Sequence, residues 1–231
     1  MFEPDFIRPF YKSKVATDAH LLEEVMQDGN ASFASKVCEQ GKRAGVNEEA
    51  HLDAVASLIV GGGLKFTSND AACLVYPQVL TGGTTAHRFY ASYPSEDEAM
   101  REAVENTERI ALLTDFVETR SGLEKVLDLK EEFRDTGKVI IPRLDSGDIP
   151  TLTVEALQMQ KERGMLDSKR DTVTVSEGLS SIEAVRALEE KVKKAGFSTE
   201  LLKYGIGGLL VSKDKTRDSV SGAYKLTDTE F

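Results

Sequence analysis

Short apolar strands alternate with amphipathic helices along most of this chain, and that alternation constrains its fold more than any other feature. From about Leu58 onward the rhythm is regular. Ser95 to Glu108 reads as a helix with acidic residues in its first turn, where the helix dipole favours them. Arg109 to Thr114 reads as a buried strand, and Ser121 to Arg134 as a helix stopped by Thr136-Gly137. Lys138 to Leu144 is a strand of the Val-Ile-Ile type. A helix follows over Thr151 to Arg163, ending at Gly164, then an alternating Thr/Val strand over Asp171 to Val175. Ser180 to Ala195 is a helix capped by Ser180 or Ser181, with Glu183 close behind and Gly196 after it. Leu201 to Gly205 and Ala223 to Leu226 read as further short strands. Strand followed by helix, repeated in this way, implies parallel pairing with the helices outside. The expected class is therefore α/β, and over residues 36–231 the length suits one α/β barrel or two small domains. Residues 1–35 stand outside the rhythm as a helical or irregular N-terminal extension.

Composition narrows the possible partners. The 231 residues carry 29 Lys plus Arg against 39 Asp plus Glu, a net charge of −10. Such a surface repels phosphate backbones and argues against nucleic acid, while local Arg and Lys residues can still hold a small phosphorylated ligand. No stretch approaches the roughly 18 apolar residues of a membrane span. The first residues lack the basic start and apolar run of a signal peptide, so a cytoplasmic location is the expectation. Two cysteines, Cys38 and Cys73, are too few for a disulfide framework or a zinc site.

The segment richest in chemistry is Val139 to Asp148. A buried strand delivers Arg143, Asp145, Ser146, Gly147 and Asp148 to one loop. The planar fork of Arg143 suits a phosphate or carboxylate. The two carboxylates can accept ribose hydroxyls or position magnesium through water. Gly147 lets the backbone approach a ligand closely. On chemistry alone the segment reads equally well as a solvated turn with an Asp cap. Thr114 and Asp115 also follow a buried strand and could meet a ribose or its metal, though Asp115 reads equally as a helix N-cap. Gly205 to Gly208, after the strand at Leu201, and Ser176-Glu177-Gly178, after the strand at Asp171, suit a phosphate cradle. Arg217 would add charge there, or would pair with Asp214 or Asp218. A lone histidine after a strand, as at His87, is ordinarily a surface or satisfied core residue. His20 and His51 sit in acidic, helical surroundings and read as surface residues.

Six segments, in order, give the chain a family resemblance. Arg143 to Asp148 resembles the "RLDSGD" signature of the nicotinate phosphoribosyltransferases. Gly83 to His87 is similar to their "GT-x-AH" segment, Phe66 to Asn69 to "GTSN", Leu112 to Thr119 to "LLVDTYDT", and Glu39 to Arg43 to "EFGLRR". Tyr204 to Leu210 with Lys215 to Asp218 resembles the glycine turn and "TRD" of the nicotinamide branch. The resemblance spans about residues 38 to 226. It implies an irregular parallel (β/α) barrel of the type II phosphoribosyltransferase kind over residues 36–231, which makes nicotinate mononucleotide from nicotinate and phosphoribosyl pyrophosphate in NAD salvage. Mg2+ and ATP would serve as cofactor and co-substrate.

The resemblance also implies roles. His87 would be the phosphohistidine through which ATP drives the transfer, since a neutral imidazole nitrogen accepts phosphoryl near neutral pH. Asp145 and Asp148 would serve catalysis by holding ribose hydroxyls or metal waters, and no side chain need bind the metal directly. Arg43, Ser68, Asn69, Thr114, Asp115, Arg143, Ser146 and Gly147 would form the substrate pocket. Ser68 stands where nicotinamide-using relatives place an Asp, and without that charge the acid is favoured over the amide. Ser176, Gly178, Gly207, Gly208 and Arg217 would hold the 5-phosphate.

The chain departs from the pattern at several places. Gln40 replaces an aromatic that stacks on the pyridine ring, which shifts stacking to Phe66 or Phe89. Glu118 replaces an Asp, Arg88 a Ser, and Ala44 the second Arg of "RR". Family members also carry a substantial N-terminal domain. The resemblance therefore implies a barrel fragment, a reduced homologue, or a chain whose other half is a separate chain, and the barrel needs a cover, either a second copy of the chain or a complementary N-terminal-domain chain. Two other readings stand beside the nicotinate enzyme. One is a nicotinamide-using or quinolinate-type transferase, and the other a non-catalytic phosphoribosyl-binding subunit.

Overall fold

The computed structural model describes residues 4–28, 31–45, 47–82 and 84–211. Its centre is a seven-stranded, all-parallel sheet. The strands are β1 (Val37–Glu39), β2 (Phe66–Thr67), β3 (Leu80–Thr81), β4 (Arg109–Leu113), β5 (Val139–Leu144), β6 (Val173–Val175) and β7 (Leu202–Ile206). They lie in the order β3-β2-β1-β7-β6-β5-β4. The two ends meet just beyond β3. Thr84 bridges Ala111 of β4 in parallel, and the Thr85 amide donates to the Ala111 carbonyl at 3.1 Å. Closure makes every strand a neighbour of the next in sequence, which is the arrangement of a parallel barrel.

The helices are α1 (Pro4–Met26), α2 (Phe33–Lys36), α3 (Glu48–Gly62), α4 (Asp70–Val75), α5 (His87–Ala91), α6 (Glu96–Glu105), α7 (Thr119–Glu132), α8 (Ile149–Glu162), α9 (Ile182–Lys194) and α10 (Gly208–Val211). Their starts are written locally. Ser95 caps α6 through the Glu98 amide, Asp148 caps α8 through the Thr151 amide, and Ser181 caps α9 through the Ala184 amide. The cap of α7 is Glu118, which accepts from the amides of Arg120 and Ser121 and leaves Asp115 free of that task.

The largest apolar core lies between strands and outer helices. It includes Val37, Leu144, Val173, Val175, Leu202 and Ile206 from the sheet, with Leu58, Leu157 and Val185 from the helices. A second cluster, around Leu112, Leu113, Met100 and Val126, packs α6 and α7 on β4 and β5. Helix α1 joins the first core through Val15, Ala19, Leu22 and Met26, against α3 and α9. Strands buried on both faces read as the near-continuous apolar runs seen at Val139 and Arg109.

The strand-and-helix rhythm begins earlier than expected. Residues near Leu58 belong to helix α3, and the first strand is Val37–Glu39. Helix α3 is buried along His51, Ala54, Val55 and Leu58, whereas β1 has only three residues and is too short to show a period. The strand expected at Ala223 to Leu226 lies outside the described residues.

Candidate active site

Among the described residues, those singled out from the sequence fall at the C-terminal ends of the strands, the end that carries the active site in parallel barrels. The tightest cluster is centred on Arg143, near the end of β5. Its guanidinium lies 2.7 Å from Asp145 Oδ1 and donates from Nε to Ser176 Oγ at 2.8 Å. It also donates from Nη1 to the Thr85 carbonyl at 2.9 Å and to Thr84 Oγ1 at 3.2 Å. The Ser176 hydroxyl closes the triangle by donating to Asp145 Oδ1 at 2.6 Å. Three strand ends, those of β3, β5 and β6, are thus tied at one point. The Arg143 side chain is 12% exposed and that of Asp145 20%, so the group is largely screened from bulk water but still reachable. Gly147 has φ +91, which gives the turn after Asp145 its tight return into α8.

Asp148 is placed differently from its neighbour. Its carboxylate accepts from the Thr151 amide and, at 2.6 Å, from the Thr151 hydroxyl. These hydrogen bonds hold its pKa below the usual carboxylate value, and the side chain is exposed at the start of α8. Ser146 is also exposed.

His87 stands at the first turn of α5. Its Nε2 lies 3.3 Å from Asp115 Oδ1, with the His87 side chain 39% and the Asp115 side chain 7% exposed. That oxygen of Asp115 is buried and accepts no hydrogen bond among the described residues. A buried carboxylate oxygen aimed at a half-exposed imidazole is an uncompensated acceptor waiting for a donor. Next to it, Thr114 is fully buried, and its hydroxyl donates to the Arg143 carbonyl at 3.0 Å. Helix α7 can approach this loop because Gly122 has no side chain. A Cβ there would collide with the Thr114 carbonyl.

The ends of β1 and β2 are fixed by a buried network that the sequence reading missed. Glu39, fully buried, lies 3.1 Å from His51 Nε2 and accepts from Thr67 Oγ1 at 2.6 Å and from the Gly41 amide. The other ring nitrogen of His51 is 3.0 Å from Asn69 Nδ2, and Asn69 Oδ1 accepts from Lys42 Nζ at 2.9 Å. His51 was expected at the surface, but it is 0% exposed. The signal was present: His51, Ala54, Val55 and Leu58 share one helical face. Asn69 is buried inside this network, whereas Ser68 and Arg43 are exposed beside it.

Gly207 and Gly208 follow β7 directly, and Gly178, with φ +76, follows β6, so the phosphate-loop candidates lie on adjacent strand ends. Arg217 lies outside the described residues. Of the two alternative stacking aromatics, Phe66 faces the barrel interior, while Phe89 packs on Tyr90 and Tyr93 in the outer cluster. Gln40 lines the interior as well.

The fold and the strand-end loops define a parallel α/β barrel of the phosphoribosyltransferase kind. No family model matches the chain. It is 31% identical over 196 residues to the nicotinate phosphoribosyltransferase of Bacillus subtilis (strain 168), across 83% of this chain and 38% of that protein. The chain is thus a relative of the nicotinate phosphoribosyltransferases that spans about 38% of the length of the curated relative it matches. A crystal structure of nicotinate-nucleotide pyrophosphorylase from Pyrococcus furiosus superposes with a TM-score of 0.61 at 16% identity, covering 87% of this chain and 47% of that one. At that identity the likeness concerns the fold.

Proposed function

We propose that this chain carries the phosphoribosyl-transfer chemistry of a nicotinate phosphoribosyltransferase, forming nicotinate mononucleotide and pyrophosphate in NAD salvage. The observation that carries the proposal is the Arg143–Asp145–Ser176 triangle at the C-terminal mouth of the barrel. Asp145 is preset by two donors, which leaves its outward lone pairs for ribose hydroxyls. In the transfer, the bond from the ribose C1 to pyrophosphate breaks and positive charge develops on the sugar. The pyridine nitrogen then forms the new bond. The contribution of the chain is positioning and electrostatic support for that charge. Among the described residues no group of three or more His, Cys, Asp or Glu side chains could hold a metal. Magnesium would ride on the substrate phosphates, with Asp145 the side chain nearest in kind, and would neutralise the leaving pyrophosphate.

His87 is the proposed phosphoryl acceptor for ATP. With Nε2 turned to Asp115, Nδ1 is left to attack the γ-phosphate of ATP, whose bond to the bridging oxygen breaks and releases ADP, and the buried carboxylate supports the charge the ring acquires. Arg43 and Ser68 would face the base, and Gly178, Gly207 and Gly208 the 5-phosphate. The exposed Ser68 presents no charge to a nicotinate carboxylate, which favours the acid over the amide.

The test is formation of nicotinate mononucleotide by the purified chain with ATP, Mg2+, nicotinate and phosphoribosyl pyrophosphate. Acid-labile phosphate on the protein should appear with ATP and vanish in His87→Ala. A folded chain that forms no product at high concentration overturns the catalytic reading. The second reading, a phosphoribosyl-binding subunit that needs a complementary chain, rests on Gln40, which lines the barrel interior where the resemblance expects a stacking aromatic. It expects binding without turnover, and activity when a second chain is added. No helix among the described residues is long and apolar enough to cross a membrane.

A further inference from the structure

His87 and Asp115 stand on different elements, so the 3.3 Å between them depends on how those elements are held together. His87 opens the short helix α5, while Asp115 lies just after β4. The join between α5 and β4 is also the seam of the barrel. Strand β3 has only two residues and ends at Thr81, too early to pair with β4 along its length. The edge of β4 therefore carries backbone groups that need other partners, because a buried peptide group left without one is costly.

Two side chains stand in for the missing strand. The Leu113 amide donates to Thr85 Oγ1 at 3.0 Å, and the Leu113 carbonyl accepts from the Tyr90 hydroxyl at 3.0 Å. The Thr85 hydroxyl is directed at the Tyr90 oxygen, 3.2 Å away, and at the Ala111 carbonyl. Tyr90 is 0% exposed. Burial pushes its phenol up to about 12, so it stays protonated and remains a donor. The Tyr90 ring also packs on Phe116, with centroids 5.4 Å apart. The rest of this cluster is apolar, and a phenylalanine would fill the same space. The hydroxyl adds direction to the packing.

Leu113 and Phe116 bracket Thr114 and Asp115 in the chain. Tyr90 and His87 are three residues apart on α5, a spacing that puts side chains on one side of a helix. Tyr90 thus holds the Asp115 loop at both ends, by its hydroxyl and by its ring, while its own helix carries His87. We propose that Tyr90 is the positioning residue of the His87–Asp115 pair, keeping the buried carboxylate in register with the imidazole. The expected effect on rate rests on the reading of His87 as the phosphoryl acceptor; the geometric role of Tyr90 does not.

Nuclear magnetic resonance of the full chain labelled with 15N-histidine reads the geometry. The His87 ring signals are assigned by their loss in His87→Ala. Tyr90→Phe deletes only the hydroxyl and is expected to move those signals, as Asp115→Asn does. Tyr93→Phe, which alters the neighbouring phenol against Phe89, should leave them in place. The rate of acid-labile phosphorylation from ATP should fall about threefold to tenfold in Tyr90→Phe, the worth of one hydrogen bond. In an Asp115→Asn background the same change should add little, since both act through one carboxylate. A merely structural role would lower the denaturant midpoint and give losses that multiply. Unmoved His87 signals in a folded Tyr90→Phe protein overturn the proposal, and so do independent losses in the double variant. Should Tyr90→Phe fail to fold, Thr85→Val removes the other seam hydroxyl and carries the same comparison. A parent chain that takes no phosphate would overturn the acceptor reading of His87, while the ring signals still decide the role of Tyr90.

Discussion

Arg143 and Asp145, two residues apart at one strand end, form an ion pair of 2.7 Å that Ser176 of the neighbouring strand closes into a triangle. Alternate residues of a strand share a side, so the sequence spacing already sets the pair face to face. The partner strand supplies the third member. Removing Asp145 should therefore do two things. Asp145→Ala leaves a partly buried guanidinium short of its acceptor and is expected to lower stability by about 1–3 kcal/mol. On the proposed chemistry it should also cut product formation by about a hundredfold or more. Urea unfolding and a mononucleotide assay read the two separately. Full activity in a folded Asp145→Ala protein would count against the proposed site.

The buried oxygen of Asp115 next to His87 gives a finer test than His87→Ala. Asp115→Asn keeps the shape and removes the charge. The rate of acid-labile phosphorylation from ATP is expected to fall while the protein remains folded. An unchanged rate would mean that the carboxylate plays no part in activating the ring.

Glu39 and His51 should behave as one structural unit. His51→Ala withdraws a hydrogen-bond partner from the fully buried Glu39 side chain, which is expected to destabilise the chain by about 1–3 kcal/mol. The paired change Glu39→Leu/His51→Leu removes both polar groups and should recover part of that loss. Denaturant midpoints of the single and double variants decide it; a double variant no better than His51→Ala alone would contradict the coupling.

Gly122→Ala places a methyl group against the Thr114 carbonyl. Helix α7 must shift, with an expected loss of about 1–3 kcal/mol from overpacking. The same substitution at Gly137, which meets nothing within 4 Å but has φ +85, should act only through backbone strain. Thermal melts of the two variants compare packing with strain directly.

Lys203 should leave a signature in alkaline pH dependence. Its pKa is lowered to about 8 by burial and by Arg109 and Lys36, with Glu200 pulling the other way. Below that value the ammonium is charged in both the folded and the unfolded chain, and its unfavourable burial is fully felt. Between about 8 and the ordinary 10.5, the folded chain has released a proton that the unfolded chain keeps. This residue's contribution to stability therefore rises with pH across that window. Urea midpoints measured on either side of the window should differ less in Lys203→Met than in the parent chain.

Local sequence determined a large part of this protein. Val139 to Leu144 and Arg109 to Leu113 are apolar enough to be legible as buried strands. Ser95 and Ser181 mark helix starts because capping is a contact between near neighbours. Gly137, Gly164 and Gly196, all with positive φ, mark the ends of helical segments for the same local reason. The order of strand and helix was enough to expect parallel strands with helices outside, whereas the Arg143 to Asp148 turn read equally as a solvated cap until the family resemblance marked it as the active end. Only the tertiary structure separated Asp145, drawn into the triangle, from Asp148, which caps α8. It also moved His51 from the surface to the buried network on Glu39, and it set Tyr90 against Leu113 and Phe116, on either side of Asp115. These last relationships join residues tens of positions apart through closure of the barrel. Side-chain pattern carries the period of one element, but it does not say which distant element will stand opposite.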